Sequence, residues 1–113
     1  MPKTKITDSN VSGPNAPFTA GAIKFGQTTV ATAGTSVQIT TNTHAPHGIK
    51  LRVKDSSTYY ISSTHEGVSA GDDLSGRGFV VKANNDLDLP IDDPSCLCVD
   101  CISNSKTISW CIY

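Results

Sequence analysis

The sequence predicts an all-β domain, a small β-sandwich or jelly-roll-like body of about eight short strands behind an extended N-terminal arm. Three observations carry this reading. Short apolar runs alternate with polar residues at a period of two, as half-buried strands do. The runs are separated by Gly, Asn, Asp and Ser, the residues of tight turns. No stretch sustains the 3.6-residue apolar periodicity that would make a helix. A small barrel is the competing architecture for the same strands.

Residues 1–20 hold Pro2, Pro14 and Pro17 and almost no apolar periodicity, which excludes both a helix and a central strand. They read as an arm in front of a body spanning 21–113. Two readings of the arm stay open: a terminus that packs on nothing, or an extended segment that lies on a partner and ends in the anchor Phe18.

Within the body the strands are expected over Ala22–Ala31, Thr35–Thr40, Gly48–Lys54, Thr58–Ser63, Gly78–Ala83, Asp86–Pro90, Leu97–Cys101 and Lys106–Tyr113. Alternation is clearest in the third, where Ile49, Leu51 and Val53 oppose Lys50, Arg52 and Lys54. The sixth run sets Leu87, Leu89 and Ile91 against Asp86, Asp88 and Asp92, and the last sets Ile108, Trp110 and Ile112 against Ser109, Cys111 and Tyr113. The cationic and anionic strands are natural neighbours, within one chain or between subunits, where Lys50, Arg52, Lys54, Asp86 and Asp88 would form an interface. Solvent-facing positions explain the same charges. Ala33-Gly34, Asn84-Asn85 and Ser103-Asn104-Ser105 read as tight turns, which predicts meander connections.

The chain has 113 residues with 9 basic and 10 acidic side chains, a single small domain of net charge −1. Neither a polybasic nucleic-acid binder nor a membrane-surface binder has this balance. No apolar run approaches the roughly 20 residues of a membrane span, and Met1-Pro2-Lys3-Thr4-Lys5 does not open a signal peptide. The chain is therefore expected to be neither secreted nor anchored. With 6% aromatic residues, a base-stacking platform is not expected either. Apolar residues at 37% leave a modest core, and such domains often draw stability from partner subunits.

Four cysteines, Cys96, Cys98, Cys101 and Cys111, stand in the spacing C-x-C-x2-C-x9-C, which is not a zinc pattern. On a strand over 97–101, Leu97, Val99 and Cys101 face the core, and Cys96, Cys98 and Asp100 face outward. Cys98 and Cys111 would then be cross-strand neighbours near enough for a disulfide, although free thiols are the default in a reducing compartment. His44, His47 and His65 have no nucleophile or carboxylate at a diagnostic spacing and read as solvated loop residues. The acidic residues Asp86, Asp88, Asp92 and Asp93 lack a calcium-loop pattern, as does Asp72-Asp73. Gly76-Arg77-Gly78 is too short for a phosphate loop. No catalytic residue, metal or cofactor is assigned, and no enzyme is expected.

The stretch from Ala22 to Ile39, AIKFGQTTVATAGTSVQI, followed by His47-Gly48-Ile49-Lys50-Leu51-Arg52-Val53-Lys54, resembles the opening of small structural proteins of tailed bacteriophages. Gly67-Val68-Ser69, Gly78-Phe79, the run from Leu87 to Val99 and the ending Ile108-Ser109-Trp110-Cys111-Ile112-Tyr113 are similar to their closing strands. The resemblance covers residues 22–113 and implies a head decoration protein, also called a cement or auxiliary capsid protein. Such a protein binds the outer surface of the phage head, is made in the host bacterial cytoplasm, and stabilises the virion by bridging subunits of the major capsid protein, typically as a homotrimer.

On this reading the arm residues Pro2, Lys3, Lys5, Ile6, Val11, Pro14, Pro17 and Phe18 contact the capsid or a neighbouring subunit, with Lys3 and Lys5 facing capsid carboxylates. The sequence departs from the pattern at Cys98, where such chains commonly carry an aromatic, and the arm lies outside the resemblance. The alternative is a tail- or fibre-associated β-sandwich binding a host glycan or surface protein through Tyr59-Tyr60 or Tyr113. A redox or metal module built on the four cysteines is a third reading.

Overall fold

Residues that alternate apolar and polar bury one face when they extend, and the pattern around Ile49 does so cleanly. In a computed structural model of the chain, which describes residues 23–113, Ile49, Leu51 and Val53 are buried while Lys50, Arg52 and Lys54 are exposed. Each buried side chain of this size contributes about 1.5–3 kcal/mol. Eight strands form: β1 (Lys24–Val30), β2 (Val37–Gln38), β3 (Ile49–Arg52), β4 (Tyr59–Ser63), β5 (Phe79–Val81), β6 (Asp86–Leu89), β7 (Leu97–Cys101) and β8 (Lys106–Ile112). Each falls inside one of the eight expected runs. The arm contact residues Pro2, Lys3, Lys5, Ile6, Val11, Pro14, Pro17 and Phe18 lie outside the described residues.

Two antiparallel four-stranded sheets result, in the orders β1-β8-β3-β6 and β2-β7-β4-β5. Their inner faces share one core that includes Val30, Ile39, Ile49, Leu51, Tyr59, Ile61, Val99, Ile108 and Ile112. This is the sandwich rather than the barrel. Trp110 packs against that core over Gly26, where a Cβ would stand 2.2 Å from the indole, so only glycine fits opposite this ring. The indole N–H donates to Thr28 Oγ1 at 3.1 Å, and Thr28 in turn donates to the Ile39 carbonyl.

The expected meander is not what forms. The turns around Ala33-Gly34, Asn84-Asn85 and Ser103-Asn104-Ser105 each join strands of different sheets, so the chain crosses the sandwich at all three. The physical reason is that the far end of each of the last two turns is already paired in the next strand's sheet. Asn84 N–H donates to the Val53 carbonyl and Val53 N–H to the Asn85 carbonyl, which extends the line of β3. Ser105 N–H donates to the Ala31 carbonyl, and Ala33 N–H donates to Asn104 Oδ1 at 2.8 Å, tying two crossings together. Asn84 and Ser105 both take the left-handed conformation these bends require.

A second, smaller cluster covers the outer face of β7. Val68 and Leu74, from the segment between β4 and β5, close over Cys98 with Tyr60 packed against them. Cys98 and Asp100, expected to face outward, are therefore buried. Period-two alternation assigned them to the side of β7 away from the main core, and the 64–77 segment supplies a roof on that side. Cys98 and Cys111 are not cross-strand neighbours either: β7 pairs with β2 and β4, whereas β8 pairs with β1 and β3. Among the described residues no helix is long and apolar enough to cross a membrane.

Candidate contact surface

The register of the β1-β8-β3-β6 sheet sets its outward side chains in rows. One row runs Phe25, Cys111, Lys50, Asp88, and the next runs Gln27, Ser109, Arg52, Asp86. Phe25 stands 77% exposed at one edge of this face, beside a shallow hollow of about 310 Å3 lined by Lys50, Arg52, Ser109, Trp110 and Cys111. An exposed phenyl ring ringed by polar and charged groups is the composition of a contact patch.

The charges on this face are mutually satisfied inside the chain. Arg52 Nε donates to Asp86 Oδ1 at 2.8 Å and its Nη2 donates to Oδ2 at 2.9 Å, a two-pronged pair across β3 and β6. Lys50 stands 3.9 Å from Asp88, whose other oxygen accepts from the Tyr113 hydroxyl. The hydrogen bond from Arg52 holds the Asp86 carboxyl below its usual range, and the Asp88 carboxylate pushes the Tyr113 phenol up. Lys54 follows β3 and is exposed. Of the expected interface residues, four thus form two cross-strand pairs within one chain, and a contact between subunits would have to form over these pairs.

The remaining polar residues have structural tasks. Asp100, wholly buried, accepts from the main-chain N–H groups of Gly34 at 3.0 Å, Leu74 at 2.9 Å and Cys101 at 2.8 Å, and so pins two loops to β7. Alternation gave no sign of this anchor. Asp93 accepts from Ser95 N–H and caps the short 3-10 turn at Pro94–Cys96, while Asp72 and Asp73 accept from Ser69 and Ser75 N–H. Gly76 and Gly78 take left-handed φ values and bend the chain into β5.

Tyr59 is buried and donates to Asp55 at 2.7 Å, and burial pushes its phenol pKa well above the ordinary value. Tyr59 is therefore not part of a sugar platform, and Tyr60 is half-buried beneath the 64–77 roof. His44 and His65 are exposed and His47 is half-buried. Among the described residues no group of three or more His, Cys, Asp or Glu is arranged to hold a metal ion. All four cysteines are free thiols, with Cys98 and Cys101 buried and Cys96 and Cys111 half-buried. Burial raises the Cys96 and Cys98 thiols above the usual range. In comparisons with protein families, curated proteins and solved structures, nothing matches this chain.

Proposed function

We propose that this chain is a decoration protein of a tailed-phage head, bound to the outer surface of the shell and bridging neighbouring major capsid protein subunits, as a homotrimer. What supports the reading, beside the strand-pattern resemblance, is the exposed phenyl ring of Phe25 on a sheet face that carries two cross-strand ion pairs. A ring of this kind serves as the anchor of a docking surface, and paired charges around it add register with little desolvation cost. Three copies acting together turn modest single contacts into high avidity when their geometry matches a three-fold position of the shell.

The test is the copy number of the chain in purified particles, measured by quantitative peptide mass spectrometry against the major capsid protein. Hundreds of copies per shell are expected. A count of a few to a few dozen would place the chain on the tail or neck instead, and absence from particles would overturn the reading. The Phe25→Ala variant is expected to bind shells about 10- to 30-fold more weakly, with its thermal midpoint unchanged because the ring packs on so little.

A further inference from the structure

The shell-facing role proposed for Phe25 leaves a second apolar surface unused. β5 ends one sheet and β6 ends the other, each pairing with a single neighbour. A cleft of about 510 Å3 reaches from one edge to the other over Ile61, Leu87, Leu89 and Leu97. Phe79 lines it while 60% exposed, and the next residue, Val80, is 45% exposed. β6 is blunted as an edge by Asp86 and Asp88, which face Arg52 and Lys50. β5, Phe79-Val80-Val81, carries neither a charge nor a proline, and an apolar edge left open in this way is a surface on which another chain settles.

The charges around the cleft decide what that chain is. Ile61 lies opposite Phe79 in the register, so the turn that follows β4 and the residues that precede β5 come together at one end of the edge. They bring Glu66 and Arg77 to the cleft. Neither forms a salt bridge among the described residues; Arg77 only adds to the lowering of the Asp73 carboxyl, which hydrogen bonds from Ser75 chiefly cause. A surface shaped for a charged foreign partner collects one sign of charge. A surface that binds its own copy must supply both members of every pair, and this one holds an acid with a base and a protruding ring with an apolar hollow.

We infer that the β5 edge is where copies of this chain meet. The Phe79 ring of each copy enters the cleft of the next, and Glu66 of each copy faces Arg77 of the next. The three-fold form of this contact, with the three rings gathered about the axis, rests on the homotrimer proposed above. The contact surface itself rests on the edge, the cleft and the two charges. Phe25 lies on β1, at the far edge of its sheet from β6, so association through β5 leaves that ring clear for the shell.

Light scattering and sedimentation of the full chain, without shells, test the inference. The wild type is expected to have the mass of three chains. Phe79→Asp is expected to associate about 30-fold or more weakly, with an unchanged far-UV spectrum because the ring is mostly exposed. Glu66→Arg and Arg77→Glu should each weaken association about 3- to 10-fold, and the double variant, which restores opposite charges, should return to within about threefold of the wild type. A wild type that stays a single chain at every concentration would overturn the proposal. So would a Phe79→Asp chain that associates as the wild type does, or a double charge variant no better than the single ones. A two-chain wild type that Phe79→Asp splits would uphold the surface and reject its three-fold form. Copy number on particles is measured apart from these masses, so self-association and shell binding fail separately.

Discussion

Asp100 shows at the scale of one residue how a buried carboxylate can hold loops rather than perform chemistry. Three main-chain N–H groups, from Gly34, Leu74 and Cys101, converge on its two oxygens. Charge-assisted bonds of this kind are stronger than neutral ones, and deleting the acceptor leaves the donors buried and unsatisfied. Asp100→Ala is expected to destabilise the fold by about 3–5 kcal/mol, read as a lower urea midpoint at an unchanged slope. The sequence contained no warning of this. Period two correctly put Asp100 and Cys98 on the face of β7 opposite Val99, but on one strand that face looks like any solvent side. What buries it is the 64–77 segment, rich in Ser, Gly and Asp, whose only large apolar side chains there are Val68 and Leu74. Both pack on that face. A loop that returns to cover a sheet leaves too weak a pattern to be read in advance.

Strand identity, in contrast, was legible almost everywhere, because alternation is a property of the strand itself. Ile49-Lys50-Leu51-Arg52 and Asp86-Leu87-Asp88-Leu89 state both their extended form and their buried side, and their opposite charges correctly suggest that β3 and β6 are partners. Sheet membership was not legible. The turns at Asn84-Asn85 and Ser103-Asn104-Ser105 have hairpin composition, yet their backbone groups pair with Val53 and Ala31, which continue β3 and β1 in the other sheet from the strand just left, and no local rule contains that. The β3–β6 pair carries its own prediction. Because Arg52 lies directly opposite Asp86, Arg52→Glu sets like charges face to face and is expected to lower the thermal midpoint. Adding Asp86→Arg should restore most of the loss, the more so at low salt. If the charges served only a contact between subunits, the single variant would leave the midpoint unchanged and weaken association alone. The pH dependence has a definite sign. Arg52 lowers the pKa of Asp86 in the folded chain, so the pair's stabilisation is complete above the carboxylate's unfolded value and is lost as the pH falls through the folded one. A double-mutant cycle on positions 52 and 86 should therefore show coupling at neutral pH and none once Asp86 is protonated.

Across the whole molecule, the two-sheet layout decides what the four thiols can do. Cys111 lies on the outer face of one sheet, and Cys98 lies on the outer face of the other beneath Val68 and Leu74. Packed sheets stand about 10 Å apart, and a disulfide tolerates at most about 7 Å between Cα atoms. Joining these two residues would require the sandwich to open. Reactivity should follow the same architecture, because alkylation needs both access and a thiolate. Cys96 and Cys111 are half-buried, Cys98 is roofed by one segment, and Cys101 faces the core shared by both sheets. Time-resolved alkylation of the native chain, followed residue by residue by mass spectrometry, is expected to modify Cys96 and Cys111 first. Cys98 should follow through local opening of the 64–77 roof, and Cys101 should be slowest, about 100-fold or more behind Cys111, because its exposure requires the sheets to part. Asp100→Ala releases the roof at Leu74 and should accelerate Cys98 more than Cys101. A Cys98–Cys111 disulfide formed by mild oxidation of the folded protein would contradict this order, since it would require the two sheets to separate under native conditions.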